Sequence, residues 1–374
     1  MKTVLVILHG DAKGGASLTA LRLVDELAAL GWRMVFWAPA PSPLYDEIKA
    51  RRLEGYGSPR PLTGYSLRAM RLDPGIRWRA RRALPYAREL RYLLRSLKPD
   101  LVHANSLYTT ADAAVCRASG VPVMFYIHEM LGSSKKARLA PAILHRIGYP
   151  VVTDSKAAAE PLRGRSRTAR IVHPGVRISG AASRGRGNDG MLVGSIGVIA
   201  PRKGADIFVD AARLVGEKDP GVRFQLMGAP DDPLEVEWAD RVIEEARRAR
   251  VEYMPDADVQ ALLAEWDAFV LPARRDPFPL VVLEAMERGL PIVAARVDGI
   301  PEQLGEDAGL LVSPDSPRAV ADAILSLRDD PAMADAKGAR ARARVAERFT
   351  IEQQAEGLAA AYQEALNGPR RRPR

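Results

Sequence analysis

Two carboxylates eight positions apart, Asp276 and Glu284, bound the stretch Asp276-Pro-Phe-Pro-Leu-Val-Val-Leu-Glu284. The stretch follows an apolar run ending at Pro272 and opens a helix-type repeat. Asp276 then lies in a loop and Glu284 about one turn into the helix. Pro279 fits the first helical position, where its missing N–H costs nothing. The N–H groups of Leu280 and Val281, with the positive helix end, make an anion site. Two acceptors flanking such a site can bind the hydroxyls of a sugar and a ribose around a diphosphate. A capped helix with two solvated acids accounts for the spacing equally well.

Four other places carry chemistry-bearing types. Pro201-Arg-Lys-Gly204 places Arg202 and Lys203 where a strand passes into a helix, which suits a diphosphate; an exposed basic loop is the plainer reading. Gly14 and Gly15 let backbone approach a ligand closely, but they form neither G-x-G-x-x-G nor a Walker loop. His128 and Glu129 follow an apolar strand at its carboxyl end, where a histidine can meet a substrate hydroxyl or a developing charge, although a lone histidine is more often structural. His9, His103, His145 and His173 show no metal-ligand spacing. Asp256-Ala-Asp258 has the form of a D-x-D metal motif, yet it directly precedes a helical repeat, so Asp258 reads more simply as a helix cap. Cys116 is the only cysteine, which excludes a disulfide framework or a cysteine-based zinc cluster and points to a reducing cytosol.

The elements that must position these residues alternate. Strands are expected at Thr3–Leu8, Met34–Ala38, Asp100–His103, Pro122–Ile127, Val151–Thr153 and Ala169–Val172. Helices are expected at Leu18–Leu30 and Ala111–Ala118. Residues 177–190 are rich in Gly, Ser and Arg and read as a linker. The alternation then restarts, with strands at Met191–Ile196, Val222–Met227, Ala268–Leu271, Pro291–Ala294 and Gly309–Val312. Helices are expected at Ala205–Val215, Leu234–Arg248, Val259–Glu265, Leu280–Arg288, Ala319–Leu327 and Ile351–Leu366. Such alternation is the mark of doubly wound parallel sheets, which bind ligands outside the carboxyl ends of their strands. Two similar α/β halves facing a cleft are the expectation. Their bounds are 1–176, the linker 177–190, a second half 191–350, a last helix 351–368 and a disordered basic tail 369–374.

The 374 residues suffice for two cored domains, and 47% hydrophobic with 27% charged residues rules out wholesale disorder. The longest uncharged runs, such as Met34 to Tyr45, are too short to span a bilayer. The apolar run after Lys2 reads as a first strand rather than a signal peptide. The net charge of +9 is localised: Arg60 to Lys98 holds eleven basic residues against Asp73 and Glu89. Ala87, Leu90, Leu94 and Leu97 share one helical face there, and Arg88, Arg91 and Arg95 another. Such a face attracts nucleic acid, an anionic membrane or an acidic substrate, or is only a solvated arginine surface.

Taken in order, these motifs resemble the GT-B glycosyltransferases, and within them the retaining family 4, the "glycosyl transferases group 1". The carrying residues are Gly14-Gly15, His128, Pro201-Arg-Lys-Gly204, Asp267 to Pro272, Asp276 to Met286, Gly289-Leu-Pro-Ile-Val293 and Gly299-Ile-Pro-Glu302. The resemblance implies a nucleotide-sugar donor held by the second half and an acceptor held by the first. It also implies retention at the anomeric carbon, no metal or other cofactor, and a last helix returning to the first half. By position, Lys203 would hold the diphosphate and Glu284 the ribose. Asp276, with backbone near Phe278, would bind the donor sugar. His128 would lie near the reacting sugar, and Gly15 near the phosphates.

The pattern departs in places. Asp276 replaces the usual Glu, Pro279 a usual Gly, and Asp298 a common Gly. Val198 falls where the family has a phosphate-binding Arg, and Arg202 is the substitute at hand. A basic first half fits a lipid-linked or otherwise anionic acceptor and a cytoplasmic enzyme at the inner membrane face, in cell-surface glycan, glycolipid or natural-product glycoside synthesis. The alternatives are a nucleotide-sugar epimerase of the same architecture and, more remotely, a basic nucleic-acid binder, for which no module is recognisable.

Overall fold

The computed structural model describes residues 1–10, 14–58, 76–131, 139–162, 169–180 and 190–368, with backbone only for 76–82. Most of the upstream part of the basic segment, most of the linker and the basic tail therefore lie outside the described residues.

The chain divides into two compact units, Met1–His173 with Ile351–Arg374, and Pro174–Thr350. The division falls at His173, three residues before the bound read from sequence. Val176 explains this: it is 5% exposed and its N–H donates to the Phe349 carbonyl at 2.9 Å, inside the second unit.

The first unit holds β1 (Lys2–Ile7), β2 (Trp32–Pro39), β3 (Gly55–Ser58), β4 (Leu101–Ala104), β5 (Val123–Ile127), β6 (Val151–Thr153) and β7 (Arg170–Ile171). They form one sheet in the order β3-β2-β1-β4-β5-β6-β7, every pairing parallel. Val4 and Val6 face one helical layer while Leu5 and Ile7 face the other. A strand buried on both faces must be apolar throughout, which is why β1 reads as an unbroken run. The helix Ile351–Asn367 packs on the Val4 and Val6 side through Ile351, Ala355, Leu358, Tyr362 and Ala365, one stripe at helical spacing.

The second unit holds β8 (Leu192–Ile196), β9 (Arg223–Met227), β10 (Val251–Met254), β11 (Ala268–Leu271), β12 (Ile292–Ala295) and β13 (Leu310–Val312). Its parallel sheet runs β10-β9-β8-β11-β12-β13. Val193, Val270 and Val293 face one layer, and Leu192, Phe269 and Ile292 the other. In both sheets the order reverses beside the first strand, at β1/β4 and β8/β11, the place where doubly wound folds bind ligands.

The helix expected over Leu18–Leu30 is two helices, Gly15–Arg22 and Val24–Ala29. A tighter turn, with the Leu23 N–H reaching the Ala20 carbonyl, brings Leu23 into the core and leaves Leu30 44% exposed. The edge strand β3, Gly-Tyr-Gly-Ser, carries no apolar alternation. Its glycine content is a packing need, since a Cβ on Gly55 would lie 2.7 Å from Ile48 Cγ2. The helix Pro331–Arg348 buries only Ala334, Gly338, Ala341 and Val345, a stripe too small-residued to stand out by hydrophobicity.

Candidate functional sites

In the second unit, β8 leads through Ile199 and Ala200 into a tight turn, Pro201–Lys203, and then the helix Ala205–Lys218. The junction is Gly204, at φ +74°, where an added Cβ would sit 2.1 Å from the Pro272 carbonyl oxygen. Only glycine allows both the left-handed backbone and that approach. The turn is tied to the loop after β11 by Arg274 and Arg275, whose N–H groups donate to the Arg202 carbonyl at 2.9 and 3.1 Å. The Arg274 guanidinium also donates to the Pro201 carbonyl at 2.7 Å, and it forks onto Asp206 at 2.9 and 2.8 Å. Together these bonds fix Lys203 beside Asp276.

The Lys203 ammonium donates to the Asp276 carboxylate, with side chains 15% and 5% exposed. Asp276 is in turn held by its backbone: its N–H donates to Asp298 Oδ2 at 2.8 Å, and its carbonyl accepts from Gly299 N–H at 3.3 Å. Asp298, at φ +44°, also accepts from Arg275 Nε at 3.0 Å. Asp298 thus locks the loop that carries Asp276. A nearly buried lysine–carboxylate pair is a cation already desolvated and aimed, ready to exchange its partner for a phosphate oxygen.

The helix after this loop starts at Leu280, and Pro279 is its N-cap, one position outside the place read from sequence. The Pro279 backbone is extended (φ −65°, ψ 119°), and its carbonyl accepts from Val282 N–H at 3.2 Å and from the buried Gln303 amide at 2.9 Å. The N–H groups of Leu280 and Val281 lie in the first turn, where no intrahelical acceptor exists. Leu280, Val281 and Glu284 share the partly exposed face, while Val282, Leu283, Ala285 and Met286 fill the core. Phe278 is core, packed edge-on against Phe349 at 5.5 Å, so only its backbone can meet a ligand. Arg202 is exposed and Lys203 is not, which separates two residues that the sequence treats alike. Asp258 accepts from Gln260 N–H at 2.8 Å and so caps the helix Val259–Glu265.

In the first unit, polar residues gather where the strands end: His9 after β1, Asn105 after β4, His128 and Glu129 after β5, Asp154 after β6, His173 after β7. His128 Nδ1 lies 3.0 Å from both Asp154 carboxylate oxygens, and Nε2 lies 3.1 Å from Asn105 Oδ1. The Tyr126 ring rests against the imidazole, centroids 4.2 Å apart. Burial pulls the His128 pKa down, but the charge and hydrogen bonds of Asp154, aided by Glu129, raise it above the usual 6.5. Burial drives His103 to about 3, with the His128 charge in support. His103 Nδ1 bonds the Tyr362 hydroxyl at 2.8 Å, so the last helix reaches this polar layer. Glu129 accepts from the Ser106 hydroxyl and from Leu107 N–H at 3.1 Å, a loop-fixing duty.

Gly14 is the N-cap of the helix Gly15–Arg22 with ordinary extended backbone, and a Cβ there would meet open space. The chain's own packing therefore does not require glycine at this position. Asp154, Asn105 and Arg274 were not singled out from sequence, and Asp298 was marked only as a departure from the family pattern. The available signal was an acidic or amide side chain directly after a strand, as in Val151-Val-Thr-Asp154.

The family profile "Glycosyltransferase Family 4" matches residues 13–179, and "Glycosyl transferases group 1" matches residues 190–330. The lipopolysaccharide core biosynthesis mannosyltransferase LpsB of Rhizobium meliloti is 30% identical over 185 residues, 47% of this chain and 52% of that protein. A D-inositol 3-phosphate glycosyltransferase of Segniliparus rotundus is 34% identical over 204 residues, 53% of this chain and 45% of that protein. The matched stretch spans about half the length of these relatives. Among solved structures, HepE of Anabaena, crystallised with UDP and glucose, superposes with a TM-score of 0.80. It is 19% identical, covering 96% of this chain and 99% of that one.

Proposed function

The chain belongs to the GT-B glycosyltransferases of family 4, and from that premise we propose that it moves a sugar from a nucleoside-diphosphate sugar to an acceptor hydroxyl, with retention and without a metal. The observation that carries the reading is the Lys203–Asp276 pair, held by Arg274 and Asp298 just before the helix Leu280–Arg288. On binding, Lys203 turns from Asp276 to the diphosphate, the Leu280 and Val281 N–H groups add donors, and Arg202 supplies a second, exposed cation. Asp276, freed of its lysine, accepts from donor-sugar hydroxyls, with backbone at Phe278 beside it. Glu284 takes the ribose. The open space at Gly14 suits close approach of phosphates, with Gly15 next in the chain, and His128 serves the reacting sugar. Fixed cations and a helix end can stabilise a leaving diphosphate with no ion.

HepE was crystallised with UDP, with UDP-glucose, and with UDP and glucose, which makes UDP-sugars the first donors to try. A lipopolysaccharide mannosyltransferase among the relatives supports cell-surface glycan synthesis. The epimerase reading loses ground, because the relatives are glycosyltransferases and synthases. The test is UDP release from a UDP-sugar, which on this reading depends on an acceptor. Conversion of the sugar nucleotide alone to an epimer would overturn the reading.

One observation favours an acidic or membrane-borne acceptor. On the helix Ile76–Leu97, Arg88, Arg91 and Arg95 are exposed beside Tyr92 and Leu84, at 75% and 65% exposure, while Ala87, Leu90 and Leu94 are buried. Basic residues near an anionic leaflet contribute about 1 kcal/mol each. No helix among the described residues is long and apolar enough to cross a membrane. Sedimentation with anionic vesicles, in excess of neutral ones and falling with salt, is the expected result; equal binding at low salt removes this reading.

A further inference from the structure

The hydrogen bonds around His128 fix more than its place. The Ala16 carbonyl oxygen can only accept, so the Asn105 amide nitrogen, 3.1 Å away, must face it. Asn105 Oδ1 is thereby turned to His128 Nε2 at 3.1 Å. On the other side of the ring both oxygens of Asp154 stand 3.0 Å from Nδ1. A neutral imidazole has one bare nitrogen, and here either choice would set a nitrogen lone pair against an oxygen lone pair. His128 and Asp154 have side chains 9% and 5% exposed, so water has little room to relieve that clash.

We propose that Asp154 and Asn105 hold His128 as a doubly protonated imidazolium, which donates one N–H to each of them and acts as a fixed cation and not as the base that takes the acceptor's proton. Asp154 and Asn105 are then positioning residues. The protonation state stands on geometry alone; its part in sugar transfer rests on the glycosyltransferase reading.

The groups facing His128 from each neighbouring element agree. Asp154, after β6, and Glu129, after β5, are the carboxylates. His9, after β1, is pushed toward the neutral form by burial, although Glu129 pulls the other way. His103, on β4, is neutral, and burial keeps the phenols Tyr126 and Tyr108 protonated. The last helix offers only the Tyr362 hydroxyl and the Gln354 amide, which reach His103 and Tyr126. His173, after β7, bonds the Asp154 carbonyl at 2.7 Å and so holds the residue that holds His128. Among the described residues, two carboxylates therefore surround a single cation.

A fixed cation and a base predict opposite pH profiles. A cation loses activity as pH rises through the His128 pKa; a base gains it. The experiment is nitrogen-15 NMR of the full chain with labelled histidine, the His128 signal assigned by its loss in His128→Gln. At pH 7 both ring nitrogens should be protonated in the wild type. In Asp154→Asn the ring should deprotonate at a pH lower by about one unit or more, the scale for losing an adjacent opposite charge. UDP release from UDP-glucose should show an alkaline limb that moves down with it. A bare ring nitrogen in wild-type His128 at pH 7 overturns the proposal even if Asp154→Asn does not fold. Activity that rises through the His128 titration overturns the cation role. Absence of UDP release at every pH would instead sink the transferase reading, while the NMR result still decides the protonation.

Discussion

Each unit holds a cation against an aspartate where its strands end, and the two pairs are built differently. In the second unit Lys203 meets Asp276 through one carboxylate oxygen, on a flexible stem 15% exposed. In the first unit His128 is committed at both ring nitrogens and pressed by Tyr126. An ammonium on four methylenes can swing to a new anion; a doubly bonded ring cannot. The second pair is thus suited to exchange partners when a ligand arrives, the first to keep its place and charge. The first unit also buries an imidazole, His103, and a carboxylate, Asp112, whose protons move at accessible pH.

The largest effect is expected at the exchangeable pair. Lys203→Ala should lose roughly 2–5 kcal/mol of nucleotide-sugar affinity, the scale for truncating one partner of a buried charge pair. It should also destabilise the second unit, because Asp276 is 4% exposed and would be left unpaired. Calorimetry with UDP and urea unfolding measure the two. Donor affinity within twofold of the wild type would remove Lys203 from the diphosphate site.

The next effect is a pH signature of the first unit. Asp112 is buried, accepts from the Tyr86 hydroxyl, and has its pKa raised by burial from 3.8 to about 6. A raised acid favours the folded state below pH 3.8, and that advantage is lost as pH rises through about 6. Asp112→Asn should therefore gain stability relative to wild type on going from pH 4 to pH 8, by up to roughly 3 kcal/mol at 1.36 kcal/mol per unit. Parallel urea midpoints for variant and wild type across that range would contradict it. His103 contributes with the opposite sign. Its folded pKa of about 3 lies below the ordinary 6.5, so acidification through that window favours the unfolded chain.

A smaller effect divides the two carboxylates of the second unit. Glu284→Gln should weaken free UDP by roughly tenfold, about 1.4 kcal/mol. Asp276→Asn should spare free UDP and weaken the sugar nucleotide or its turnover. Equal losses of free UDP in both variants would show that the roles are not divided. The smallest effect should come from chelation: activity should persist in EDTA, and loss restored by magnesium or manganese would return attention to Asp256 and Asp258.

The alternating elements were legible because the inner strands, such as β5, β11 and β12, are buried on both faces and so read as apolar runs, and because Gly204 and Gly289 punctuate the helices. The order of motifs along the chain was enough to name the family. The Asp258 cap was also legible, since an N-cap acts on N–H groups two and three residues away. The edge strand β3 and the helix Pro331–Arg348 were not, for their packing uses glycine and alanine, which carry no hydrophobic signal.

Sequence by itself determined what is local: strand, helix, cap, turn, and the presence of Lys203, Asp276, Glu284 and His128 in the right order. Tertiary structure alone decided which charges meet. Lys203 and Asp276 are 73 residues apart, Arg274 and Asp206 are 68 apart, and His128 and Asp154 are 26 apart. Each pairing depends on parallel strands ending side by side. Hydrogen bonds act over about 3 Å, and which side chains come within that reach is set by the sheet order, not by distance along the chain.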